Sequence, residues 1–160
     1  MFDVKLKSSA ALKKILAAAQ KKGRRVVFTN GCFDLLHYGH AKYLEAAKSQ
    51  GDILVVAVNS DASVRKLKGK GRPVVPQKYR ALLVAGLASV DYVVIFNEET
   101  PAAAIAQLKP DVLVKGGDWR PGRIVGADFV KARGGKVLSI RFEPGFSTTK
   151  LIQKIGTAYR

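Results

Sequence analysis

The chain has 160 residues, 48% of them apolar, enough for one domain with a substantial core and without a low-complexity stretch. The lone Cys32 excludes an internal disulfide framework, and no run approaches the ~18–20 apolar residues of a membrane span. A formal net charge of +16 favours anionic partners, but the cations are spread along the whole chain rather than gathered in one stripe, which weakens a nucleic-acid reading.

Lys5, Lys7, Lys13 and Lys14 interrupt any signal-peptide core between Met1 and Gln20, so a soluble, cytoplasmic protein is expected. Residues 1–160 read as a single domain, with residues 1–23 as a helical extension at its N-terminus. Ser8 or Ser9 caps a first helix to about Gln20, with Leu12, Ile15, Leu16 and Ala19 at helical spacing and Lys21-Lys22-Gly23 ending it. Val26 to Thr29 is a short buried strand, and a helix carrying two histidines follows to about Ser49. Ile53 to Val58 is apolar throughout, as a parallel strand covered on both faces should be. A basic loop comes next, then a helix from about Pro76 to Ala88. The remaining pattern predicts strands at Tyr92–Phe96, Val112–Lys115 and Lys136–Ile140, alternating with helices at Pro101–Leu108, Ile124–Arg133 and Thr149–Ile155. Alternation at this spacing implies right-handed βαβ units. The expected fold is α/β: a Rossmann-like, doubly wound, five-stranded parallel sheet with helices on both faces. Such sheets bind ligands beyond the carboxyl ends of their strands, where strand order reverses.

The most informative segment is His37-Tyr38-Gly39-His40, which holds the only two histidines, just behind the strand that ends in Thr29-Asn30-Gly31-Cys32-Phe33-Asp34. Imidazoles at i and i+3 share one helix face. Gly39 between them permits a close approach, and the helix start already favours an anion. The pair reads as two donors for phosphate oxygens. His37, His40, Cys32 and Asp34 are also possible metal ligands, but Cys32 and Asp34 sit in the preceding turn and no further ligand is marked elsewhere.

Three more segments fall just after strands. Arg65 to Arg72 gathers five cations with two glycines and no aromatic residue. It reads either as a solvated surface or as a mobile lid bringing Lys66 or Lys68 onto substrate phosphates. In Lys115-Gly116-Gly117-Asp118-Trp119, the glycines admit a ligand close to the backbone. There Asp118 can accept from a sugar hydroxyl and Trp119 can pack on a ring, or the segment is a tight turn with a half-buried tryptophan. Gly145-Phe146-Ser147-Thr148-Thr149 opens the last helix, as a cap, as a phosphate cradle, or as both. No P-loop, G-x-G-x-x-G or G-x-S-x-G pattern occurs. Phosphate-binding parts without a covalent nucleophile favour direct in-line transfer between two bound substrates.

From Val26 to Ile155 these motifs, together with Asn59-Ser60-Asp61 and Val90-Asp91, resemble the HxGH nucleotidyltransferase superfamily. Within it, Phe28 to Asp34, Leu67-Lys68-Gly69, Lys115 to Asp118 and Phe142-Glu143-Pro144-Gly145 look most like the adenylyltransferases of D-glycero-D-manno-heptose 1-phosphate, in their stand-alone form without a fused sugar kinase. The glycerol 3-phosphate cytidylyltransferases tend to carry an arginine where this chain has Phe142. The resemblance implies that a sugar 1-phosphate attacks the α-phosphorus of ATP, with Mg²⁺ carried by the triphosphate and no protein-held metal. It assigns His37, His40 and Lys68 to catalysis. It gives Asn30, Gly31, Cys32, Phe33, Gly39, Arg80, Gly117, Ser147, Thr148 and Thr149 to the nucleotide. Asp34, Lys66, Lys115, Asp118 and Trp119 go to the sugar phosphate. Lys68 matches the family pattern better than Lys66. A homo-oligomer is expected, and no membrane or nucleic-acid partner. The alternatives are a cytidylyltransferase of glycerol 3-phosphate or a related polyol phosphate, and a basic nucleic-acid-binding module.

Overall fold

The computed structural model describes residues 2–117 and 119–158. Five parallel strands, β1 (Val26–Gly31), β2 (Ile53–Asn59), β3 (Tyr92–Phe96), β4 (Val112–Gly116) and β5 (Lys136–Ile140), form one sheet in the order β3-β2-β1-β4-β5. The chain winds outward from β1 to β3, then returns to lay β4 on the other side of β1. Strand order therefore reverses between β1 and β4, whose carboxyl ends carry Gly31 and Gly116. The doubly wound α/β expectation is met.

Strand periodicity divides the core. Val26, Phe28, Ile53, Val55 and Ala57 face one layer, with Leu12 and Leu16 of α1 (Ser9–Lys21), Ile105 of α5 (Ala102–Leu108) and Val130 of α6 (Ala127–Ala132). The alternate residues Val27, Leu54, Val56 and Val58 face the other layer, against Tyr43 and Leu44 of α2 (Tyr38–Lys48) and Ala81 and Val84 of α4 (Gln77–Ala85). All seven residues of β2 are buried, as its unbroken apolar run requires.

One stretch folds differently from its sequence reading. Residues expected to open a basic loop form α3 (Asp61–Lys68), with the Ser60 hydroxyl accepting from the Ser63 amide at 3.2 Å. That serine cap, the acidic first turn at Asp61 and the buried Ser63 and Val64 outweigh the charge run, so only Gly69 onward is loop. The helix expected from Ile124 is shorter, because Gly126, at φ +86°, delays its start. The last helix, α7, runs from Thr148 to Ala158.

Candidate active site

The turn after β1 is held under strain. Phe33 adopts a left-handed backbone with φ 47°, and a side chain on Gly31 would come within 3.0 Å of its ring. Arg80 fixes this turn from below. Its guanidinium is fully buried, donating to the carbonyls of Cys32, of Val75 at 2.8 Å and of Asn59 at 2.8 Å, and to Asp61 Oδ1 at 2.8 Å. One cation thus ties the ends of β1 and β2 to α3 and to the segment before α4.

The turn delivers the chain to α2. His37 is the N-cap residue, but its side chain caps nothing; it stacks on His40 with ring centroids 3.8 Å apart and planes 18° apart. Phe33 flanks His40 at 5.3 Å, and Phe146 lies 6.2 Å beyond His37. Nδ1 of both histidines is buried without a hydrogen-bond partner among the described residues. Burial, then the neighbouring His37, pushes the His40 imidazole down to about 4, and burial also lowers His37. Both rings are therefore neutral at pH 7. Each offers N–H donation without the repulsion of two stacked cations. A side chain on Gly39 would sit 3.0 Å from Phe146 Cβ and 3.2 Å from His37 Nδ1, so the small residue preserves the stack.

Ser147, Thr148 and Thr149, at the start of α7, line a cavity of about 350 Å³ together with both histidines and Lys68. The Thr148 hydroxyl donates to the Leu35 carbonyl at 3.4 Å, linking the start of α7 to the histidine turn. A second cavity of about 420 Å³ adjoins it, sharing Asn30, Gly31, Cys32, Lys68 and Lys115. Trp119, Asn59, Glu99, Thr100 and Arg123 border only this second space. Burial, reinforced by Lys68, lowers the Lys115 ammonium, and burial raises the Cys32 thiol, which leaves Cys32 unsuited to nucleophilic attack as a thiolate. Two adjoining compartments with cations on their shared wall can bring together two phosphorylated molecules.

A family model described as cytidylyltransferase-like matches residues 28–154. The chain belongs to the cytidylyltransferase-like family. Among similar proteins, the "Bifunctional protein HldE" of Geobacter metallireducens is 54% identical over 157 residues, covering 98% of this chain and 32% of that protein. The HldE of Alkalilimnicola ehrlichii is 56% identical over 143 residues, covering 89% and 30%. The chain spans about a third of the length of these curated relatives. The crystal structure of a lipopolysaccharide core biosynthesis protein from Thermoplasma volcanium has 30% identity and a TM-score of 0.61, covering 76% of this chain and 98% of that one. A pantoate-beta-alanine ligase from Francisella tularensis, at 13% identity and TM-score 0.60 over 86% of this chain and 67% of that one, shares the fold.

On this cytidylyltransferase-like frame, Asn30, Gly31, Cys32, Phe33, Asp34, His37, His40, Lys68, Lys115, Ser147, Thr148 and Thr149 all border the first cavity, and Trp119 the second. Gly39 packs behind the histidines, and Gly117, at φ +109°, lies between Trp119 and Phe142. Asp118 lies outside the described residues. Three expectations need correction. Arg80, assigned to the nucleotide, spends its guanidinium on backbone carbonyls and Asp61 and borders neither cavity. Lys66, assigned to the sugar phosphate, pairs with Glu99 at 3.3 Å on the exposed side of α3. Asp34 does border the cavity, but protein donors engage both carboxylate oxygens, so it is not left open for a sugar hydroxyl. Sequence reasoning missed Arg72, Tyr43, Phe142 and Phe146 as cavity residues. Phe146 lies inside the Gly-Phe-Ser-Thr-Thr motif, where only the hydroxyl residues drew notice; Tyr43 gave no signal beyond its helical spacing to the core.

Proposed function

We propose that the chain is a heptose 1-phosphate adenylyltransferase: D-glycero-D-manno-heptose 1-phosphate and ATP give ADP-heptose and pyrophosphate, for lipopolysaccharide core synthesis. The observation that carries this reading is the stacked, neutral His37–His40 pair lining one cavity with Ser147 to Thr149. Its unpartnered nitrogens in a buried setting call for a ligand with hydrogen-bonding oxygens. The likeness to HldE proteins and to a lipopolysaccharide core biosynthesis protein supports the heptose substrate.

In this mechanism the triphosphate occupies the first cavity and the sugar phosphate enters from the second. A sugar phosphate oxygen attacks the α-phosphorus, the bond to the β-phosphate oxygen breaks, and pyrophosphate leaves with the electron pair. His37 and His40 donate N–H bonds to phosphate oxygens as charge builds, while the start of α7 holds outer phosphates. Lys68 and Lys115, on the wall between the compartments, draw the two anions to one another. No group of three or more carboxylate, thiol or imidazole side chains converges among the described residues, so Mg²⁺ would be held chiefly by the triphosphate's own oxygens. When bound, it neutralises phosphate charge. The reading also carries a cytoplasmic, homo-oligomeric enzyme; no helix among the described residues is long and apolar enough to cross a membrane. A nucleic-acid-binding module would leave the histidine stack without a task.

The test is pyrophosphate release with Mg²⁺, crossing ATP and CTP with heptose 1-phosphate and glycerol 3-phosphate. Turnover confined to ATP with heptose 1-phosphate is expected. Turnover with CTP and the polyol phosphate would overturn the substrate assignment, and silence from folded protein in all four would overturn the reading itself.

A further inference from the structure

We propose that Arg72 grips the leaving pyrophosphate portion of the nucleotide, and that Asp34 is the positioning residue that aims it. The inference rests on the nucleotidyl-transfer reading above. Asp34 is buried at the end of the β1 turn. Its Oδ1 accepts from the amides of Val74 at 2.8 Å and Val75 at 2.9 Å, and its Oδ2 accepts from Arg72 Nε at 2.5 Å. Burial alone would raise this carboxyl, but the two amides and Arg72 hold it below its usual range, so it stays charged under the arginine.

The Arg72 side chain is only 16% exposed, and Nε to Asp34 is its one side-chain hydrogen bond among the described residues. Its Nη1 and Nη2 are therefore uncommitted, in a guanidinium already anchored and largely removed from water. An arginine held by Nε presents its remaining N–H groups in a fixed direction, the geometry that suits two oxygens of a phosphate. Without such a partner, the desolvated cation is only partly compensated.

Position decides which phosphate. Lys68 and Lys115 border both cavities, whereas Arg72 borders the first alone, with the histidines and the start of α7. The acceptor must reach the α-phosphorus from the second cavity, so that atom belongs near the shared wall. The β- and γ-phosphates then extend into the space that Arg72 lines. As the bond from the α-phosphorus to the bridging oxygen breaks, negative charge grows on pyrophosphate, and the guanidinium meets it there.

The experiment uses the full chain and three variants, Arg72→Ala, Arg72→Lys and Asp34→Asn. Calorimetric titration with pyrophosphate and Mg²⁺ is combined with steady-state KM values for ATP and for the sugar phosphate. Arg72→Ala should weaken pyrophosphate binding at least about tenfold and raise the KM of ATP alike, while the KM of the sugar phosphate stays within twofold. Added guanidinium ion should restore part of the loss. Arg72→Lys should recover little of it, because an ammonium lacks the fork. Asp34→Asn should repeat the ATP-selective loss in milder form; should it not fold, Arg72→Ala carries the test alone. A folded Arg72→Ala protein with unchanged pyrophosphate affinity, or a loss confined to the sugar phosphate, would overturn the inference while leaving nucleotidyl transfer in place. Wild-type protein binding neither ATP nor pyrophosphate would remove the functional reading, and this inference with it.

Discussion

The two ends of the sheet treat their polar groups in opposite ways. At the amino ends of the strands, three aspartates close the backbone's open donors. Asp52 Oδ2 accepts the Arg25 amide at 2.7 Å, Asp91 Oδ2 the Leu54 amide at 2.7 Å, and Asp111 Oδ2 the Val26 amide at 2.8 Å. Two of these carboxylates take a second donor, Lys48 Nζ on Asp91 at 2.5 Å and Gln20 Nε2 on Asp111 at 3.0 Å. At the carboxyl ends, Nδ1 of His37 and His40 is buried and unmatched among the described residues, and Lys68 and Lys115 crowd one wall. One end is complete without a ligand and the other is not. A polar group left unpaired in a native interior asks for an explanation, and the function proposed above supplies one in the phosphates of a nucleotide. The fixed strand starts let the far end hold a strained turn and desolvated imidazoles without losing the fold.

Removing the unmatched groups should therefore harm turnover and spare stability. His37→Ala or His40→Ala should lower kcat/KM for ATP by about 10²–10³, the cost of one preorganised donor, with a thermal midpoint equal to or above the parent's. A large fall in midpoint alongside lost activity would erase the contrast between the two ends. The same histidines give it a pH signature. Burial lowers His40 from an ordinary 6.5 to about 4, so between those values the unfolded chain binds more protons than the folded one. Stability should fall as pH drops from about 6.5 towards about 4, and His40→Gln should flatten that slope in denaturant titrations across the window.

The opposite outcome is expected at the other end. Asp111→Ala strands the Val26 amide at the start of the central strand and leaves Gln20 Nε2 only the Lys109 carbonyl, at 2.9 Å. A loss of about 1–3 kcal/mol in unfolding free energy is expected, with kcat unchanged below the transition. Chemical denaturation and initial rates on one preparation check both halves.

The same asymmetry explains what the sequence made legible. The uninterrupted apolar run of β2, the histidine spacing and the glycines after β1 and β4 are local signals whose physics acts over a few residues, and the structure places them as read. Arg80 reads as a nucleotide ligand because a buried cation satisfying carbonyls looks, in sequence, like one awaiting a phosphate. Its partner Cys32 is 48 positions away, and only the fold brings the two together. Asp34 reads as a sugar contact for the same reason, since its donors lie 38 to 41 positions on. The helix over Asp61–Lys68 is signalled by Ser60 and Asp61, a cap that the five cations of Arg65 to Arg72 mask in the sequence.

The smallest expected effect tests whether orientation, rather than charge, decides which cations matter. Lys66 and Lys68 sit two residues apart on α3, about 200° around the helix, and so cannot serve one face. Lys66 meets Glu99 with both side chains nearly two-thirds exposed, at 65% and 64%, the kind of pair that contributes less than about 1 kcal/mol. Lys68 borders both cavities. Lys66→Ala should leave kcat/KM within twofold and stability nearly unchanged, whereas Lys68→Ala should raise the KM of both substrates. Equal losses in the two variants would mean that the general positive field, not the facing of α3, gathers the substrates, and raising salt would then depress both rates together.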